Sequence, residues 1–101
     1  MTVFEAVADP TRRRLLELLR ERGPMNLTRL AEGFSMSRQA VTKHLDALIA
    51  AGLVRARREG RVRVHELDAA PLRALDDWLA PYAAEWDRRL ERLTHHLEEN
   101  G

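Results

Sequence analysis

The 101-residue sequence has no cysteine, which removes disulfide staples, thiolate metal ligands and a cysteine nucleophile at once. It gives no sign of an oxidising compartment, and no apolar run approaches the roughly 20 residues that a membrane helix needs. Neither end carries a signal-type hydrophobic stretch, so a soluble, cytoplasmic chain without a membrane partner is expected. Aromatic residues are scarce, at 5%. Internal repeats, low-complexity tracts and flexible linkers are absent. There is no Gly-rich phosphate loop, nucleophile elbow or metal motif, and the neighbouring acids Asp76-Asp77 and Glu98-Glu99 face different ways on a helix. No catalytic residue is therefore assigned, and an enzyme is not expected.

The length allows one core, so residues 1–101 are read as a single domain. A core this small without staples commonly gains stability from a partner chain, which makes dimerisation the first expectation. The near-neutral balance conceals an asymmetry. Residues 1–65 carry 13 basic and 7 acidic side chains, whereas residues 66–101 carry 4 and 9. All but one of the basic residues are arginine, whose planar fork suits phosphate oxygens and guanine edges. Solvated arginine faces are also common for no functional reason, so position has to decide.

A helix is expected to open at Asp9-Pro10-Thr11, with an N-cap followed by proline at the first helical position, and to stop at Gly23-Pro24. Leu15, Leu16, Leu18 and Leu19 supply its apolar stripe. Val3, Phe4 and Val7 suggest a short amphipathic helix before it. A two-turn helix is expected over Asn26 to Phe34, followed by a break at Ser35-Met36-Ser37. Ser37 then caps a longer helix to about Ala51, which Gly52 ends. On that helix Val41, Leu45, Leu48 and Ile49 line one face, and Arg38, Gln39, Thr42, Lys43 and Asp46 the other.

Beyond Gly52 the period becomes alternating, which predicts a two-stranded hairpin. Val54, Ala56, Val62 and Val64 share a face only across a three-residue loop, Glu59-Gly60-Arg61; Arg55, Arg57, Arg63 and His65 would then face outward together. From about Ala70 a helical period returns, with Leu72, Leu75, Leu79, Tyr82, Trp86, Leu90, Leu93 and Leu97 three or four apart, close to a heptad seam. Pro81 predicts a kink or a break near Ala80. Trp78, Tyr82 and Trp86 suit either a dimer seam or a small-molecule pocket between subunits, and the seam is favoured because such rings often anchor interfaces.

Helix, tight turn, longer helix with a polar outer face, then a basic hairpin is the order of a winged helix-turn-helix. The second helix of that motif fits the major groove, and the hairpin can reach phosphates or the minor groove. The expected fold is mainly α with a small β-hairpin. Ala8-Asp9-Pro10-Thr11-Arg12-Arg13, Leu30-Ala31-Glu32, Ser37-Arg38-Gln39-Ala40-Val41-Thr42-Lys43-His44-Leu45 and Ala51-Gly52-Leu53-Val54 resemble the ArsR-type winged-helix repressors over nearly the whole chain.

That resemblance implies a dimeric transcriptional repressor joined through its first and last helices, with Phe4, Leu75, Trp78, Leu79, Tyr82, Trp86, Leu90 and Leu93 at the interface. It places Ser37 and Thr42 near phosphates and Arg38, Gln39 and Lys43 near bases. His44 packs in its helix or touches phosphate, and Arg57, Arg58, Arg61 and Arg63 supply the wing.

The thiolate pair of the family's metal sensors has no counterpart here, because residues 27–34 contain neither cysteine nor histidine. His96 and Glu99 have ligand spacing beside His95, but the pattern is incomplete, and these are read as solvated helix-end residues. No metal and no other cofactor is expected; His65 is assigned to the wing surface. The expected partners are duplex DNA bearing an inverted repeat and a second copy of the chain, with an unidentified small-molecule or protein effector left open. A protein-interaction module using the aromatic helix is the alternative.

Overall fold

The computed structural model describes residues 1–100, with side chains through Glu99. Local signals in the sequence fix the helix starts. Helix α1 spans Val3–Ala6, and α2 spans Pro10–Arg22 with Asp9 accepting from the Arg12 amide at 3.0 Å. The short helix α3 covers Leu27–Ala31, capped by Asn26, and α4 covers Arg38–Ala50, capped by Ser37. The last helix, α5, runs Arg73–Asn100 after a 3-10 turn at Ala70–Leu72.

Three antiparallel strands complete the fold: β1 (Met25–Asn26), β2 (Val54–Glu59) and β3 (Val62–Leu67), in the order β1-β3-β2. The leucines of α2 close over Leu30 of α3, Val41, Leu45 and Leu48 of α4, and Leu53, Val54 and Met25 from the sheet side. This core sits under α3 and α4 and holds them as a pair. The overall fold is the expected one, mainly helical with a β wing.

Several local expectations are corrected. The sheet has a third strand, β1, where only a hairpin was foreseen, and α3 ends at Ala31 instead of running to Phe34. Glu59 pairs with Val62, so the hairpin loop is the two residues Gly60-Arg61, not three. Gly60 occupies the first central position with φ 62°, where a type II′ turn calls for glycine. The shorter loop shifts the register by one residue and with it the facing of one strand. Val54 and Ala56 therefore share the core face with His65 and Leu67, while Val62 and Val64 lie on the other.

His65 is consequently not on the wing surface. It is 6% exposed, between Met25 and Ala56, and its Nδ1 has no hydrogen-bond partner. Burial lowers its pKa from the usual histidine value, and the Arg63 charge lowers it further.

Pro81 does not break α5, which is continuous across it. Asp77, whose carbonyl loses its helical partner to the proline, is an exposed residue, as is Pro81.

Two arginines act on the backbone of α1. Arg12 donates from Nε to the Ala6 carbonyl at 2.8 Å and from Nη2 to the Glu5 carbonyl at 2.9 Å; Arg13 donates to the Val7 carbonyl at 2.8 Å. A four-residue helix is far below the length that stands alone, and these bonds tie the carbonyls at its C-terminal end to α2.

Candidate nucleic-acid interface

The polar side of α4 is available as a surface because its opposite side is fully committed to the core. Val41, Leu45 and Leu48 are buried, which turns Gln39, Lys43 and Asp46 outward. Ser37 accepts from the Ala40 amide at 3.1 Å, so the first turn is fixed and Arg38 and Gln39 project from it. Arg38, Gln39, Thr42 and Lys43 gather around one shallow groove, closed on its far side by Leu27 of α3. Among the described residues neither Arg38 nor Lys43 has a carboxylate partner.

His44 is placed differently. Its Nδ1 lies 3.8 Å from Asp9 Oδ2, and its side chain is half-buried against the start of α2, away from that groove.

The wing divides its arginines between two faces, so the outward set expected from the three-residue loop does not form. Arg55 and Arg57 share a face with Glu59 and Glu66. Arg57 is held by Glu59 at 2.7 Å and Glu66 at 3.4 Å, and the Glu59 hydrogen bond raises its pKa. Arg58 and Arg63 stand on the other face, directly opposite each other in the ladder and without a carboxylate partner among the described residues. With Ala56 and Arg57 they line a concave patch near the hairpin end, and Arg61 lies in the loop. Like charges in directly opposed positions destabilise a strand pair, so this patch favours a bound anion.

The winged arrangement matches known proteins along most of its length. A family model described as a helix-turn-helix domain matches residues 7–57. The transcriptional repressor SdpR of Bacillus subtilis (strain 168) is 32% identical over 88 residues, covering 87% of this chain and 97% of that protein. The HTH-type transcriptional regulator Rv2034 of Mycobacterium tuberculosis is 37% identical over 98 residues, covering 97% and 88%. A solved ArsR-like transcriptional regulator from Rhodococcus sp. RHA1 superposes with a TM-score of 0.69 at 40% identity, covering 90% of this chain and 85% of that one. The chain belongs to the ArsR-type winged helix-turn-helix transcriptional regulators.

The second surface of this ArsR-type regulator is the apolar side of α5. Phe4 of α1 meets Trp78 edge to face at 6.1 Å, and Trp78 meets Tyr82 at 5.2 Å. Leu75 is half-buried, but Trp78, Leu79, Tyr82, Trp86, Leu90 and Leu93 are exposed, Trp86 at 53% and Leu90 at 62%.

At the end of α5 of this regulator, His95 Nε2 lies 2.8 Å from Glu99 Oε1. Among the described residues no group of three or more His, Cys, Asp or Glu side chains is placed to hold a metal ion. No helix among them is long and apolar enough to cross a membrane.

Sequence reasoning missed the carbonyl contacts of Arg12 and Arg13, the wall formed by Leu27, and the opposition of Arg58 to Arg63. The last depends on hairpin register, for which Gly60 was the available signal.

Proposed function

We propose that this regulator is a homodimeric repressor that binds an inverted repeat in duplex DNA. The recognition helix α4 enters the major groove. Arg38, Gln39 and Lys43 read base edges there, while Ser37 and Thr42 approach phosphates. Arg58, Arg61 and Arg63 of the wing neutralise flanking phosphates. The observation that carries this reading is the cluster of Arg38, Gln39, Thr42 and Lys43 around one groove, uncommitted to any carboxylate among the described residues. Repression is supported by the name of the Bacillus relative.

Dimerisation is supported by the exposed stripe of α5 together with Phe4. Two recognition helices related by a two-fold axis read half-sites about one turn, roughly 34 Å, apart, which is why the operator is an inverted repeat. Metal, cofactor and catalysis have no part in the proposal, and the cytoplasm is its setting. Selection of duplexes from a randomised pool, followed by footprinting and sedimentation of the complex, tests it. The expected result is a protected inverted repeat bound by two chains.

The exposed stripe also favours a second reading, in which the fold serves as a protein-interaction module through the aromatic helix. Salt-dependent, sequence-selective duplex binding separates the two, since only the first reading requires it.

A further inference from the structure

The groove on α4 is not polar throughout. Arg38, Gln39, Thr42 and Lys43 stand three and four positions apart, so they crowd one side of the helix, and the wall that faces them is Leu27 of α3. Leu27 opens its helix, where the Asn26 side chain accepts from the Arg29 amide at 2.9 Å and fixes the first turn. Leu30, one turn on, is wholly buried in the core. Leu27 packs against that same core but stays half-buried, and what it leaves open belongs to the groove. Because one core holds α3 and α4 together, this leucine keeps its place relative to the four polar side chains.

Phosphate contacts alone give such a wall nothing to do. Phosphate oxygens are satisfied by cations and N–H donors, which Arg38, Gln39 and Lys43 supply, and they gain nothing from a leucine. The ligand that suits the whole groove is anionic, carries hydrogen-bonding groups, and has a small apolar projection among them. The major groove of duplex DNA offers that projection in the C5-methyl group of thymine. The other groups that distinguish base pairs there are hydrogen-bond donors and acceptors.

We infer that Leu27 is a specificity-determining residue, and that its side chain receives the C5-methyl group of a thymine in each half-site. The inference rests on the proposed DNA-binding function and deepens it. Helix α3 then reads sequence as well as supporting α4. Arg38, Gln39 and Lys43 take the polar groups of the base edges, and Leu27 takes the methyl among them. At the usual transfer free energy of one buried carbon, each methyl is worth about fourfold in affinity, hence about fifteenfold for one in each half-site.

The test exchanges thymine for deoxyuridine, which removes the methyl and leaves every hydrogen-bonding group in place. The full chain first selects a duplex from a randomised pool. Affinity is then measured on that duplex and on copies in which each thymine is replaced in turn, symmetrically in both half-sites, for wild type, Leu27→Ala, Leu27→Asn and Leu27→Met. The readout is the ratio of the two affinities within one variant, so a general loss of stability acts on both duplexes and cancels. Asparagine keeps the branched shape and serves if alanine loosens the core, and thermal melting identifies the folded variants. Wild type should lose about fifteenfold at one thymine position. Leu27→Met should keep most of that ratio, because methionine is apolar and of similar volume. Leu27→Ala and Leu27→Asn should bind the two duplexes alike, with salt slopes unchanged because no phosphate contact is lost.

A selected half-site without thymine overturns the role of Leu27 alone. So does a wild-type chain indifferent to every replacement, or a folded Leu27→Ala or Leu27→Asn variant that keeps the wild-type ratio. A chain that selects no duplex overturns the proposed function, and this inference with it.

Discussion

Replacing Arg63 with alanine should move two properties of the protein in opposite directions. Arg63 faces Arg58 directly across the β2–β3 ladder, and neither has a carboxylate partner among the described residues. Like charges in such a pair destabilise by about 0.2 to 1 kcal/mol, so Arg63→Ala should make the free protein more stable by that order. In a domain of this size the melting temperature then rises by a few degrees. DNA binding should weaken in the same variant. Each lost phosphate contact lowers the slope of log affinity against log salt by about 0.9, hence about 1.8 for two subunits.

Arg57→Ala is the control. Arg57 borders the same patch, but its guanidinium is already held by Glu59 at 2.7 Å and Glu66 at 3.4 Å, so the salt slope should stay near wild type. Binding isotherms on a selected duplex at several salt concentrations, with urea denaturation of the free proteins, measure both quantities. If Arg57→Ala lowered the slope as much as Arg63→Ala, or if Arg63→Ala destabilised the free protein, the division of the wing into a paired face and an anion-seeking face would be wrong.

Arg38→Ala or Gln39→Ala should relax discrimination between the selected duplex and a scrambled one by about 1 to 3 kcal/mol per lost contact, read from competition binding; unchanged discrimination would move base reading to the wing. Trp86→Ala should weaken the dimer by about 2 kcal/mol or more in sedimentation equilibrium, and a monomeric wild-type chain would remove the premise. His65 sets an acid limb. Burial places its folded pKa below the unfolded value, so its contribution to stability is complete above about pH 6.5 and is lost as pH falls through the lower folded value. His65→Leu should flatten that part of the urea-midpoint profile, and an unchanged profile would place the titration elsewhere.

Wherever structure is set by neighbours in the chain, the sequence was readable. Asp9-Pro10, Ser37 and Gly52 mark helix ends because capping is a matter of three or four residues, and the buried leucines of α2 and α4 follow from period alone. The groove of Arg38, Gln39, Thr42 and Lys43 was legible for the same reason, since all four project from one short helix.

What escaped depends on distant partners. Strand β1 is two residues long, too short to show any alternation, and exists because β3 pairs with it. The hairpin register turned on the assumption that Val62 and Val64 share the face of Val54 and Ala56, while His65 and Leu67 do so and Val64 is buried from the other side. His44 was read as packing in its helix or touching phosphate, because Asp9, 35 positions earlier, has no visible tie to it in sequence.

The uncovered side of α5 has a consequence for how the regulator would respond to its own abundance. In the proposed dimer, one chain alone presents a single reading head and leaves Trp86, Leu90 and Leu93 in water, so assembly precedes full operator affinity. Below the dimerisation constant, the concentration of the competent species grows as the square of the chain concentration. Halving synthesis would then cut occupancy about fourfold, by mass action alone. A chain with no effector bound at all would still behave as a threshold device, set by the strength of one apolar seam.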